Sequence, residues 1–146
     1  MALARSEIDA RLLVLYENRV LLASHRGQAW YFLPGGRVRP GETVEDALRR
    51  EIDSQAGLDV GAFDFVGCIE QAYTEDSVAI HALTTVFTAP LPWAAQIISN
   101  DPGVHLASIA IEDLADLELR PAPLKDMIQR WAAGRPPLWR TTLPTV

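Results

Sequence analysis

The sequence is short of residues that several classes of protein need. It holds one cysteine, Cys68, which excludes an internal disulfide framework and a cysteine-based zinc site. It holds one lysine, Lys125, beside twelve arginines. Its 13 basic residues are outnumbered by 19 acidic ones, for a net charge of −6. A general binder of nucleic acid or of a membrane surface needs a basic face to meet phosphates, so neither partner is expected. The N-terminus carries Arg5, Glu7, Asp9 and Arg11 and has no apolar run of the signal-peptide kind. Ser77–Asn100 has no charged residue over 24 positions, long enough to span a bilayer. His81, Thr84, Thr85, Thr88, Gln96, Pro90 and Pro92 interrupt it, and its period is that of a strand. It reads as a strand running into a Pro-broken loop, and a cytoplasmic location is expected.

What is present is enough for one ordinary domain. Of 146 residues, 49% are apolar and 22% charged, a globular balance for a chain that needs neither disulfide nor metal to fold. Arg11–Tyr16 and Arg19–Ser24 are β-rich runs around a Glu17-Asn18 turn. Trp30–Leu33 reads as a short aromatic strand ending near Pro34, because the residue before proline is pushed to extended geometry. Pro34-Gly35-Gly36 reads as a turn. From Thr43 the period becomes helical, with Val44, Ala47, Leu48 and Ile52 on one face. Thr43 suits an N-cap with Asp46 three residues on, and Gly57 suits a C-terminal stop. Phe63–Tyr73 and Val78–Ala89 are long β-rich runs joined by a hairpin at Thr74–Ser77. Leu91–Gly103 is irregular, Val104–Ile111 a strand, Glu112–Leu117 a helical turn and Pro123–Ala133 a last helix. Residues 134–146 hold three prolines and read as a loose tail on a single domain over 1–146. The order of elements predicts an α+β domain with a mixed sheet.

The stretch Gly35–Leu58 carries the chemistry. A Gly-rich turn entering a helix N-terminus offers free N–H groups and a positive dipole end to phosphate oxygens. Arg37 and Arg39 stand in that loop as further candidate phosphate contacts. On a helix stepped at roughly 100° per residue, Glu51 and Gln55 each fall about 20° from Val44, inside the inward stripe. A carboxylate there is costly unless a cation or hydrogen bonds satisfy it. Glu51 is therefore either a metal ligand or one half of an ion pair with Arg50 or another arginine. Asp53 falls about 180° away and faces outward. His25, His81 and His105 have no mutual spacing of a metal set, and Cys68 in its apolar run reads as a small buried hydrophobe.

Gly36, Glu42, Arg50, Glu51, Ile52, Gly57 and Leu58 stand in register with the Nudix box: glycine, five residues, glutamate, seven residues, then R-E-U-x-E-E-x-G-U, with U aliphatic. Phe32-Leu33-Pro34-Gly35-Gly36 is similar to the entry of that box. The chain thus resembles the Nudix hydrolases, specifically over Phe32–Leu58 and more weakly elsewhere. The resemblance implies a Nudix-like α/β/α sandwich, a mixed sheet flanked by helices. It implies cleavage of a nucleoside diphosphate linked to another moiety, with Mg²⁺ or Mn²⁺ as cofactor. It assigns Glu51 to the metal, assisted by Gln55 and the Gly36 carbonyl, and Arg50 with Glu42 to an ion pair holding the loop. Gly35, Gly36, Arg37 and Arg39 are the candidate cofactor-binding residues, with Arg37 or Arg39 expected on phosphate.

The sequence departs from the pattern at Ser54 and Gln55, where the family has two metal-binding glutamates. Glu70, Glu75, Asp76 and Asp101 are candidate replacements from other loops. Two readings follow. One is a working hydrolase with a thin metal shell; the other is a domain of the same fold that binds a nucleotide-like ligand or a protein partner. A third is a structural subunit. Trp93 and Trp139, in irregular segments, suit an interface, and a homodimer is the expected assembly.

Overall fold

The structure, a computed structural model, describes residues 3–91 and 97–144. Trp93, expected at an interface, lies outside these residues. The elements run β1 (Leu3–Leu13), β2 (Leu15–Tyr16), β3 (Arg19–His25), β4 (Gly35–Arg37), α1 (Val44–Ala56), β5 (Asp64–Glu75), β6 (Val78–Thr88), β7 (Val104–Ala110), a 3-10 helix (Ile111–Asp116), α2 (Leu124–Ala132) and β8 (Leu138–Thr141). A five-stranded mixed sheet has the order β4-β1-β6-β5-β8, and a smaller one the order β2-β3-β7. β1 runs parallel to β6 and antiparallel to β4.

Strand alternation builds a core on each face of the large sheet. Ala10 and Leu12 of β1 pack with Leu48 and Ile52 of α1 in one cluster. Leu13 packs with Ile69, Val86 and Leu124, Met127 and Ile128 of α2 in the other. Helices therefore cover both faces, and the α/β/α sandwich is formed. Each fully buried aliphatic side chain contributes about 1.5–3 kcal/mol, and truncating Leu48, which is 0% exposed, to alanine costs about 2–5 kcal/mol.

Local chemistry accounts for most boundaries. Glu17 and Asn18, and again Asp76 and Ser77, have positive φ, the conformation that closes two-residue hairpins. Thr43 Oγ1 accepts the Asp46 N–H at 3.1 Å, and Gly57 ends α1 in the left-handed region. Three expectations are corrected. Trp30–Leu33 is no continuous strand: Phe32 bridges Ala23 and Tyr31 bridges Leu119 on the other side, each as a single isolated bridge that does not extend into a ladder. Gly35-Gly36 is not a turn into the helix. Both glycines pair antiparallel with Arg11 and Ala10, and the chain reaches Thr43 only after a loop through Pro40-Gly41. Residues 134–146 are not loose throughout, because Leu138–Thr141 pairs in parallel with Gly67–Glu70.

Candidate active site

Strand β4 places the box against the sheet edge. Gly35 has φ 136°, and a Cβ there would lie 2.0 Å from the Ala10 carbonyl oxygen. At Gly36 a Cβ would lie 2.6 Å from the Glu51 carboxyl carbon. The second glycine thus makes room for the one inward carboxylate of α1. Helical period delivers that carboxylate as expected: Glu51 is half-buried, Gln55 buried, and Asp53 and Ser54 exposed.

Arg50 ties the loop to the helix. Its Nε donates to Glu42 Oε2 at 2.8 Å and its Nη2 to Glu42 Oε1 at 2.9 Å, a two-pronged pair of the strong kind. Nη2 also donates to the Arg37 carbonyl at 3.1 Å, and Nη1 to Glu51 Oε1 at 2.5 Å. Glu42 Oε1 accepts the Arg39 N–H at 3.0 Å. The Arg50 fork, and then the Arg39 N–H, hold the Glu42 carboxyl down at about 2, and Glu42 in turn raises Arg50. Of the two readings of Glu51, its pairing with Arg50 is present, and the outer side of the carboxylate remains partly open, with 23% side-chain exposure.

Gln55 is engaged with backbone. Its Oε1 accepts the Gly35 N–H at 3.2 Å, and its Nε2 donates to the Gly35 carbonyl at 2.8 Å and approaches Glu51 Oε2 at 3.4 Å. Arg37, expected on phosphate, is exposed and lies 2.7 Å from Glu7 Oε2. Arg39 has an exposed side chain. The four candidate replacement acids do not gather beside Glu51. Glu70 is held by His81 at 2.7 Å and Thr141 at 2.9 Å, and these bonds, His81 first, lower its pKa. Asp101 caps the Gly103 N–H at 2.8 Å, and Asp76 forms a hairpin turn. Glu75 lines the neighbouring cleft. Among the described residues, no three of His, Cys, Asp and Glu come together closely enough to hold a metal ion.

That cleft, of about 740 Å³, meets the box at Gly35, Gly36 and Gln55, and its size is that of a small-molecule site. Sequence reasoning missed most of its wall. Trp30 and Phe32 stand 5.6 Å apart, His25 packs 4.7 Å from Phe32, and Arg120 lies 4.5 Å above the Trp30 ring. Arg11 lies 5.5 Å over Phe32 and donates to the Leu33 carbonyl at 3.1 Å. Asp9, Gln71 and Thr84 supply polar groups, and Leu124 of α2 closes one side. Burial raises the Asp9 carboxyl against the pull of Arg11, and burial lowers Arg11. Beside them Tyr73 donates its hydroxyl to Glu7; burial first, and then Glu7, push the phenol upward. The signal available was the alternation Glu7, Asp9, Arg11, which puts three charges on one face of β1.

A hard divalent cation with most of its shell filled by water and substrate oxygens needs one or two carboxylates. Glu51 fits one such ion. It does not fit a cage made entirely by protein. The carbonyl that shares the Gln55 Nε2 donor with Glu51 is that of Gly35, whereas Gly36, whose carbonyl was expected there, pairs with Ala10 in the sheet.

Known proteins are similar to this chain in structure or in sequence. The MutT protein from Bacillus halodurans superposes with a TM-score of 0.75 at 18% identity, covering 92% of this chain and 88% of that one. Low-salt glycan biosynthesis protein Agl8 of Haloferax volcanii is 34% identical over 91 residues, 58% of either chain. NAD-capped RNA hydrolase NUDT12 of Homo sapiens is 48% identical over 33 residues, 23% of this chain and 7% of its own length. The chain therefore spans well under two thirds of these curated relatives. Residues 7–131 match the NUDIX domain. With the box, the sandwich and the domain match in agreement over most of its length, the chain belongs to the NUDIX family.

Proposed function

We propose that this chain is a pyrophosphohydrolase cleaving a nucleoside diphosphate linked to another moiety, with Mg²⁺ or Mn²⁺. Hydrolases of its family work with divalent cations on small nucleotide-type substrates. The observation that carries the reading is Glu51: a half-buried carboxylate over Gly36, steadied by Arg50, next to Gly36 and Gln55, which line a cleft of about 740 Å³. The relatives' names print no common substrate, so no finer substrate than a diphosphate-linked nucleoside is proposed.

In the reaction, a water oxygen forms a bond to one phosphorus and the bridging P–O bond breaks. The water proton goes to solvent and the leaving phosphoryl oxygen departs as an anion. Bound at Glu51, the cation would neutralise charge on the phosphoryl oxygens and favour the attacking hydroxide. The chain's own parts position the substrate. Half-buried Trp30, backed by buried Phe32, offers an aromatic wall for a planar ring, and Arg11 and Arg120 bring positive charge to the cleft. Arg37 and Arg39, exposed on the box loop, remain proposed phosphate contacts. Exposed Trp139, at 53%, supports self-association as a homodimer.

The test is a hydrolysis screen over nucleotide sugars, dinucleoside polyphosphates and nucleoside triphosphates with Mg²⁺ or Mn²⁺, run beside Glu51→Gln. Metal-dependent release of two phosphorylated products, lost in Glu51→Gln, is the expected result. An inert wild type sinks the hydrolase reading, and activity indifferent to Glu51→Gln sinks the site assignment.

A further inference from the structure

The position of Gln55 calls for a carboxylate in the box, and what stands there is an amide with three defined partners. The Gly35 N–H faces Oε1 at 3.2 Å, and the Gly35 carbonyl faces Nε2 at 2.8 Å. This backbone pair fixes which end of the amide is which, because a reversed amide would set two donors together and two acceptors together. The same Nε2 lies 3.4 Å from Glu51 Oε2, while Arg50 Nη1 holds Oε1 at 2.5 Å. Both Glu51 oxygens and the Gly35 carbonyl therefore point at N–H donors. These are the oxygens that a hard cation would need. Gln55 is only 8% exposed, so turning Oε1 towards a cation would leave the Gly35 N–H buried and unpaired, which is costly.

We propose that Gln55 competes with the divalent cation for Glu51 and the Gly35 carbonyl and is not its ligand. In the substrate-free protein its amide stands in for the ion. Ligands that Ser54 and Gln55 do not give a cation would then have to come from the oxygens of the diphosphate. Gln55 is a positioning residue: it holds β4 on α1 and keeps Glu51 aimed over Gly36 until the cation binds. The inference rests on the hydrolase reading for its use, though not for its test.

The test measures Mn²⁺ binding to the substrate-free full chain by electron paramagnetic resonance, with thermal unfolding in EDTA and in Mn²⁺. Wild type, Gln55→Met and Gln55→Glu are compared. Methionine keeps the length and removes both the donors and the carbonyl. Competition predicts weak binding by wild type, tighter binding by Gln55→Met, and binding at least about tenfold tighter than wild type by Gln55→Glu. It also predicts a wild-type Tm that Mn²⁺ leaves unchanged and a Gln55→Glu Tm that Mn²⁺ raises. Weaker binding by Gln55→Met than by wild type makes Gln55 a ligand and overturns the proposal. So does a wild-type Tm that rises with Mn²⁺ as much as that of Gln55→Glu, which decides the matter should Gln55→Met not fold. These readings need no substrate. A chain that hydrolyses diphosphates yet binds free Mn²⁺ tightly overturns this inference alone, whereas absence of hydrolysis overturns only the hydrolase reading.

Discussion

On the α1 side of the large sheet, Arg50 commits its donors to partners already in place: both oxygens of Glu42, one of Glu51 and the Arg37 carbonyl. On the α2 side, Asp9 and Arg11 lie in the cleft with burial working against the charge of each. The first arrangement is closed and fixes a shape. The second is open, and a ligand that brings counter-charge or hydrogen bonds improves it. Charges that define the loop are satisfied within the protein, whereas the charges lining the cleft are left partly unmet.

The largest effect that separates the two sides is expected at Glu51. Glu51→Gln should lower kcat/KM by about 100-fold or more, with Tm nearly unchanged, as read from steady-state hydrolysis and thermal unfolding. Gly36→Ala comes next. Its methyl would enter space held by the Glu51 carboxylate, 2.6 Å from the carboxyl carbon, and should reduce activity about tenfold with a stability loss of about 1–3 kcal/mol. Retained activity in that variant would show that the carboxylate position is not critical. On the cleft side, Trp30→Ala should raise KM several-fold with little change in kcat, since a stacking wall contributes about 1–3 kcal/mol to binding a base. A kcat loss without a KM change would move Trp30 from the binding wall to the chemistry.

The closed side also has a pH signature. Glu42 is held at about 2, below its ordinary value of 4.5. A depressed carboxylate stabilises the fold above its ordinary pKa and loses that contribution as pH falls towards the folded value. Tm of wild type should therefore drop between pH 4.5 and about 2 more steeply than that of Glu42→Gln. Parallel curves would mean that the Arg50 fork contributes nothing to the fold. The smallest effect is Ser54→Ala: with the side chain exposed on α1, activity should stay within about twofold. A larger loss would return Ser54 to the metal shell.

What was readable in the sequence had local causes. The Thr43 cap, the Gly57 stop and the inward aim of Glu51 follow from helical period. The two hairpins follow from Glu17-Asn18 and Asp76-Ser77. The N-terminal half of β1 was not readable, because its alternating face carries Glu7, Asp9 and Arg11 towards a cleft and not towards apolar core. Strand β4 was hidden by glycines that signal turns in isolation and become a strand only when Ala10 and Arg11 lie alongside. The Glu7–Tyr73 contact joins residues 66 apart, brought together because β6 lies between β1 and β5. The engagement of Gln55 by Gly35 likewise depends on β4 being a strand.

Strand β8 has a consequence for how this protein can be handled. It lies against Gly67, where a Cβ would come 2.4 Å from the Leu138 carbonyl oxygen, and it covers Gly67–Glu70 of β5. Without it, β5 would present a row of unpaired backbone groups beside exposed Phe65, a template on which strands of other chains add. Shortening the chain before Leu138 is therefore expected to uncover the Gly67–Glu70 stretch of that edge and to promote association through it.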